Sequence, residues 1–111
     1  MKEPIQEQQL KWIGIDLDKT VAQNSGHPEY KLLEPINGAR EALVKLTLDG
    51  WKIVLHTARP WNDYDLIESW SDKYDIPHRR IVCGKLFAKY YIDDRAIEFR
   101  GDWDEVLRKI K

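Results

Sequence analysis

Two carboxylates with one residue between them are the groups in this chain best suited to chemistry. Asp16 and Asp18 follow the apolar, β-branched run 13–15. Residues i and i+2 of a strand face the same side, so both carboxylates would point into one space unless the chain turns between them. Two like charges this close share a proton or hold a cation. Oxygen ligands of this kind favour Mg²⁺.

A second acidic pair predicts where the rest of such a metal site would come from. Asp93-Asp94 ends the apolar run 90–92, and the hydroxyl of Thr57 ends another apolar run. Ligands in open α/β sheets bind beyond the carboxyl ends of the strands. Carboxylates and a hydroxyl at several strand ends therefore predict one metal site at a shared sheet edge.

The elements that must position these groups alternate between strands and helices. Short apolar runs predict strands at 11–16, 51–57, 80–83 and 89–92. Helical spacing predicts three helices. The first is capped by Asn37 and buries Ala39, Ala42, Leu43 and Leu46, and the second is capped by Asn62 or Asp63 and buries Leu66, Ile67, Trp70 and Tyr74. The third is capped by Asp102 with Glu105 and buries Trp103, Val106, Leu107 and Ile110.

This alternation predicts a single α/β domain over 1–111, a Rossmann-like three-layer sandwich with a short, mainly parallel sheet. Residues 20–34 carry turn-forming residues and no helical period, which predicts a flap or weak hairpin over the site. Neither this segment nor the others leave room for a cap domain.

Composition limits the classes of function. The 18 Lys and Arg balance 19 Asp and Glu, and a net charge of −1 argues against general nucleic-acid binding. The one cysteine, Cys83, rules out an internal disulfide and fits a reducing compartment. With no run as long as a membrane span and no signal-peptide pattern in 1–11, we expect a cytoplasmic protein without membrane contact. Five Trp in a small chain favour an exposed aromatic patch, and with it a homo-oligomer.

Four motifs in order resemble those of the haloacid dehalogenase-like phosphatases. They are Asp16-Leu17-Asp18-Lys19-Thr20, Thr57, Lys85 and Asp93-Asp94. The resemblance spans 12–100, nearly the whole chain. The stretches 57–60 (Thr-Ala-Arg-Pro) and 92–95 (Ile-Asp-Asp-Arg) are similar to the small, capless branch of that superfamily.

The resemblance implies a mechanism. Asp16 would attack phosphorus and form an aspartyl-phosphate, while Asp18 would act as the general acid and then as the base that activates water. Mg²⁺ would be held by the Asp16 carboxylate, the backbone carbonyl of Asp18, and Asp93 or Asp94, with both of that pair kept as candidates. The implied activity is Mg²⁺-dependent hydrolysis of a phosphomonoester.

The resemblance also implies groups that bind the substrate. Thr57 and Lys85 would bind the phosphoryl oxygens, with Lys89 as the alternative lysine. Arg59 would bind phosphate or a second anionic group, and so would Arg95, although surface ion pairs are equally expected for both arginines. Further contacts from Lys19, which replaces the family's usual glycine, and from His27 stay open.

Three alternatives stay beside the phosphatase. The fold can serve as a binding or regulatory module of weak or no turnover. Polynucleotide 3′-phosphatases also carry an Arg soon after two of these motifs, so a 3′-phosphorylated nucleic-acid end competes with a small phosphorylated metabolite as the substrate. Phosphoryl transfer within a sugar would need a cap to exclude water, and no segment is long enough to supply one.

Overall fold

Short aliphatic runs form the strands, and segments with helical spacing form the helices. The computed structural model describes residues 11–26 and 31–111. In chain order the described elements are β1 (Trp12–Ile15), β2 (Ala22–Asn24), β3 (Leu32–Pro35), α1 (Ala39–Leu48), β4 (Lys52–His56), α2 (Tyr64–Lys73), β5 (Arg80–Val82) and α3 (Trp103–Lys109). A 3₁₀ turn, Trp61–Asp63, leads into α2.

The central sheet is parallel and has the order β1-β4-β5. Trp12 pairs with Lys52, and Val54 pairs with Arg80. Three of the predicted strands are confirmed, and so is an α/β fold with a mainly parallel sheet and three helices. Because parallel strands share one direction, the residues that follow them come out at a common edge.

The segment after β1 is the antiparallel hairpin β2-β3, with Ala22 opposite Pro35 and Asn24 opposite Leu32. The predicted weak hairpin is thereby confirmed. Its tip, 27–30, which includes His27, lies outside the described residues. Two indole N–H groups tie this region to the helices, since Trp70 donates to the Leu33 carbonyl and Trp103 to the Thr20 carbonyl.

Helix α1 has the predicted buried face but a different beginning. Ala39, Ala42, Leu43 and Leu46 are all buried, and α1 packs against β4 and α3. The N-cap is Gly38, with φ 83° and no side-chain cap, rather than Asn37. A residue at Gly38 must adopt the left-handed region, which glycine occupies at little cost. The geometry of the turn therefore moves the helix start by one residue.

The other two helices keep only part of the predicted buried face. In α2, Ile67 and Trp70 are buried, but Leu66 is exposed, Ser71 is buried, and the N-cap residue Asp63 makes no side-chain cap hydrogen bond. The predicted core residues that are only partly buried are Tyr74, Leu107 and Ile110. In α3, Asp102 accepts hydrogen bonds from the backbone N–H groups of Asp104 and Glu105, as the capping pattern predicts. Among the described helices none is long and apolar enough to cross a membrane.

The predicted fourth strand, 89–92, is wrong. This segment has no ladder partner among the described residues, and Ile92 is fully exposed. The Tyr91 hydroxyl instead donates to the Leu86 carbonyl and accepts from the Ala88 N–H. These local bonds join Tyr91 to the loop before it.

Candidate active site

Three of the sequence-predicted residues meet at the carboxyl edge of the sheet. Asp16 follows β1, Thr57 follows β4, and Lys85 lies three residues after β5. The Thr57 N–H donates to the Val82 carbonyl at 2.9 Å, and the Lys85 N–H donates to the Thr57 carbonyl at 2.9 Å. These two bonds bring the loop after β5 to the end of β4.

Asp16 is in contact with the predicted lysine. Lys85 Nζ lies 3.9 Å from Asp16 Oδ1, and the Thr20 hydroxyl donates to Asp16 Oδ2 at 3.5 Å. Burial raises the pKa of the Asp16 carboxyl above its usual range, and the positive charge of Lys85 opposes that rise without cancelling it. The alternative lysine, Lys89, lies instead near the ring of Tyr90.

A tight turn begins at Leu17, directly after Asp16, and contains Asp18. The Leu17 carbonyl accepts from the N–H groups of Val21 and Ala22, both at 2.9 Å, and the Leu17 side chain is fully buried. Lys19 has φ 65°, in the left-handed region where glycine is favoured. The chain therefore turns after Asp16, and the lysine is accommodated at a position that suits glycine.

Asp18 is held by a bidentate ion pair. Arg59 Nε donates to Asp18 Oδ2 and Arg59 Nη2 donates to Asp18 Oδ1, both at 2.8 Å. Asn24 Nδ2 adds a third hydrogen bond, to Oδ1 at 3.2 Å. Paired planar groups at this distance form a strong, orientation-specific contact. These contacts hold the Asp18 carboxyl group in one orientation.

Arg59 is engaged with acidic side chains rather than directed to a free anion site. Besides Asp18, it contacts Asp63 at 3.2 Å, and its side chain is only 11% exposed. These hydrogen bonds raise the pKa of Arg59. The predicted phosphate contact of Arg59 is not present in this arrangement, because two carboxylates compete for the guanidinium first.

Thr57 is buried, and its hydroxyl oxygen accepts the backbone N–H of Arg59 at 3.1 Å. The hydroxyl hydrogen is a remaining donor, so a contact with a phosphoryl oxygen stays a prediction. The neighbouring His56 is partly buried, which lowers the pKa of its imidazole, and Lys85 lowers it further. Both effects favour a neutral ring beside the site.

The second acidic pair does not join the site. Asp93 accepts the Arg95 N–H at 2.8 Å and lies 4.0 Å from the Arg95 side chain, while Asp94 lies 3.8 Å from the same guanidinium. Both carboxylates are on exposed residues. Within 11–26 and 31–111, no three His, Cys, Asp or Glu side chains are grouped to hold a metal ion. The predicted Mg²⁺ ligands, Asp16, the Asp18 carbonyl and Asp93 or Asp94, are therefore not brought together, because the segment that carries this pair is not a strand of the sheet.

Two residues at this site were not singled out from the sequence. Asn24 reaches Asp18 from β2, and Asp63 reaches Arg59 from the 3₁₀ turn. The only signal for Asn24 was its place in the segment expected to cover the site. Asp63 had the pattern of a helix cap, and its pairing with Arg59 at i−4 is the spacing of an ion pair.

Comparison with known proteins supports the fold. No protein-family model matches the chain, and no curated protein matches it significantly. A crystal structure of a structural-genomics target from Vibrio cholerae matches with a TM-score of 0.66 and 26% identity, over 89% of this chain and 98% of that one. A conserved protein from Bacteroides thetaiotaomicron matches with a TM-score of 0.61 and 23% identity, over 86% and 84%. Neither is described by an activity, so the likeness concerns the α/β architecture.

Proposed function

We propose that this chain is a small, capless phosphatase of the haloacid dehalogenase-like type, which hydrolyses a phosphomonoester through Asp16. The observation that carries the proposal is the contact of Asp16 with Lys85 at the strand ends, 3.9 Å apart, with Asp18 held nearby. A carboxylate nucleophile, a cation for the phosphoryl oxygens and a second carboxylate for proton transfer are the groups that this reaction needs.

The two half-reactions use these groups in turn. Asp16 attacks phosphorus, the ester P–O bond breaks, and the leaving oxygen takes a proton from Asp18. Water then attacks the phosphorus of the aspartyl-phosphate and gives a proton to Asp18. The acyl phosphate P–O bond breaks, which regenerates the Asp16 carboxylate and releases inorganic phosphate. Lys85 can stabilise the negative charge that gathers on the phosphoryl oxygens in both steps.

The pair with Arg59 gives the Asp18 carboxyl group one orientation. A fixed orientation serves both proposed roles, because the group that protonates the leaving oxygen also accepts the proton from water. A phosphate dianion that drew Arg59 towards itself would weaken this pair.

Mg²⁺ enters this proposal through the resemblance alone. Of the carboxylates implied as ligands, only Asp16 lies in the site, so none of the steps above uses the metal. We expect dependence on Mg²⁺, and EDTA tests it separately. Full activity in EDTA would remove the metal from the proposal and leave Asp16 as the nucleophile.

The test is phosphate release from an aryl phosphate by the purified chain. We expect measurable turnover that Asp16→Asn lowers by about 10³-fold or more, since an amide cannot attack phosphorus. Asp72→Asn, on an exposed residue of α2, is the matched control and should behave as wild type. Turnover that survives in Asp16→Asn would exclude the mechanism.

A variant at Asp18 separates its two roles. Aryl leaving groups need little protonation. Asp18→Asn should therefore slow phosphate release from an alkyl phosphate far more than it slows formation of the phosphoenzyme from an aryl phosphate. The loss expected for general acid catalysis is about 10²- to 10⁴-fold. Equal losses on both substrates would show that Asp18 does not protonate the leaving group.

A phosphate-binding module without turnover is the second candidate. The exposed position of Asp93 and Asp94 favours it, because the site then lacks carboxylates that the resemblance implies. Binding of inorganic phosphate that depends on Lys85, together with no turnover on a broad panel of phosphate esters, would support the module over the enzyme.

A further inference from the structure

An exposed tryptophan stands beside the loop that carries Lys85. Trp61 begins the 3₁₀ turn two residues after Arg59 and is 57% exposed. Its ring stacks on Tyr64 with centroids 6.2 Å apart and an interplanar angle of 16°. Tyr64 lies against the indole, and more than half of the Trp61 surface stays exposed.

Gly84 lets the indole approach the lysine loop closely. Gly84 has φ 81°, and a Cβ at this position would lie 3.3 Å from Trp61 Nε1, tighter than an ordinary contact. The Gly84 N–H donates to the Arg59 carbonyl at 2.9 Å. The tryptophan is therefore fixed against the residue that precedes Lys85.

One aromatic ring lies directly on the lysine. Lys85 Nζ is 4.6 Å from the ring centroid of Tyr91, which is 50% exposed. Lys85 also contacts Asp16, so the proposed phosphate-binding cation has Tyr91 on it and Trp61 against the residue before it. A rigid aromatic face beside a phosphate site is suited to a substrate that carries a planar group.

From this arrangement we infer that the substrate is a phosphate monoester bearing a nucleobase, with the base stacked on Trp61 and the phosphate at Lys85. The inference rests on the proposed phosphatase function and names its substrate class. A net charge of −1 gives no basic track for a long nucleic acid, so a mononucleotide is the source we favour.

The experiment compares two substrates with the same kind of primary phosphate ester, adenosine 5′-monophosphate and ribose 5-phosphate. We expect wild type to prefer the nucleotide in kcat/KM by about 10-fold or more, from a stacking contribution of about 1–3 kcal/mol per base. Trp61→Ala should remove most of that preference, mainly through KM, and Trp61→Phe should keep most of it. Leu48→Ala, on an exposed residue of α1, should leave both substrates unchanged.

The outcomes separate this inference from the proposed function. Equal kcat/KM for the two substrates, or equal losses on both in Trp61→Ala, would overturn the stacking role while the phosphatase stands. If neither substrate is hydrolysed, calorimetry measures the binding of both. Tighter binding of the nucleotide than of ribose 5-phosphate, with the difference lost in Trp61→Ala, would support the inference. Equal binding overturns it. A 5′-phosphorylated oligonucleotide is the third substrate, and its use in preference to the mononucleotide would overturn the mononucleotide as the source.

Discussion

At the scale of single residues, the two carboxylates of the site differ in the contacts that they make. Asp16 is partly buried with a lysine 3.9 Å away, whereas Asp18 receives three hydrogen bonds from Arg59 and Asn24. For the proposed nucleophile Asp16, few hydrogen bonds are an advantage, because each one must weaken before attack. For the proposed proton-transfer group Asp18, a fixed orientation is an advantage.

The raised pKa of Asp16 predicts a cost in stability at neutral pH. A carboxyl whose pKa is higher in the folded protein favours folding when protonated, and that contribution is lost as the pH rises through the folded pKa. In EDTA, Asp16→Asn should therefore be more stable than wild type at pH 7, and the difference should shrink as the pH falls through the raised folded pKa towards the usual carboxyl value of about 4. Urea unfolding at pH 7 and at about pH 4 measures it, with Asp72→Asn as the control. A less stable Asp16→Asn at pH 7 would contradict the prediction.

The resemblance puts Asp16 and Lys85 in one site, but nothing in the sequence predicts the pair of Asp18 with Arg59. The structure brings Asp16 and Lys85 together because the parallel strands that precede them end at one edge. The pair of Asp18 with Arg59 joins residues 41 positions apart, and an arginine beside a proposed phosphate site fits a substrate contact equally well. Asn24 also contacts Asp18, and Asp63 also contacts Arg59. The sequence predicts neither of these contacts.

At the scale of elements, the helices follow from sequence pattern more closely than the last strand does. Apolar spacing and the Asp102 cap depend on neighbours within one or two turns, which the sequence displays directly. The segment 89–92 has the composition of a strand, yet a strand also needs a partner edge. The Tyr91 hydroxyl is bonded to Leu86 and Ala88 instead. An alternating strand pattern does not predict these contacts.

The cap of α3 gives a test at this scale. Asp102→Ala removes the acceptor for the N–H groups of Asp104 and Glu105 and should lower the free energy of unfolding by about 1 kcal/mol. Asp102→Asn keeps an oxygen acceptor and should stay close to wild type. Urea denaturation measures both variants, and equal losses would show that the charge, rather than the cap, matters.

At the scale of the whole molecule, the segment 86–97 differs from the rest of the chain. Leu86, Phe87, Tyr90 and Ile92 are exposed there, whereas the sheet and helices bury most of their large apolar residues. Apolar surface of this extent is costly unless something covers it. The same segment carries Asp93 and Asp94, so its placement also determines whether they can approach Asp16.

Proteolysis tests this arrangement. Chymotrypsin should cut the native protein within 86–97 before it cuts any other part of 11–26 or 31–111, because these aromatic sites lie outside the strands and helices. Mass spectrometry of early fragments identifies the cut. Protection of Phe87 and Tyr90 on adding Mg²⁺ would reveal a metal-bound arrangement in which the segment is covered. First cleavage within α1 or β4 would contradict the prediction.

The hydrogen bond from the Trp103 indole to the Thr20 carbonyl spans 83 positions of the chain. One end lies in the turn that follows Asp16, and the other lies in the first turn of α3. During synthesis on the ribosome, this turn leaves the exit tunnel long before its anchor does. The turn therefore stays without the Trp103 hydrogen bond until α3 has emerged and docked.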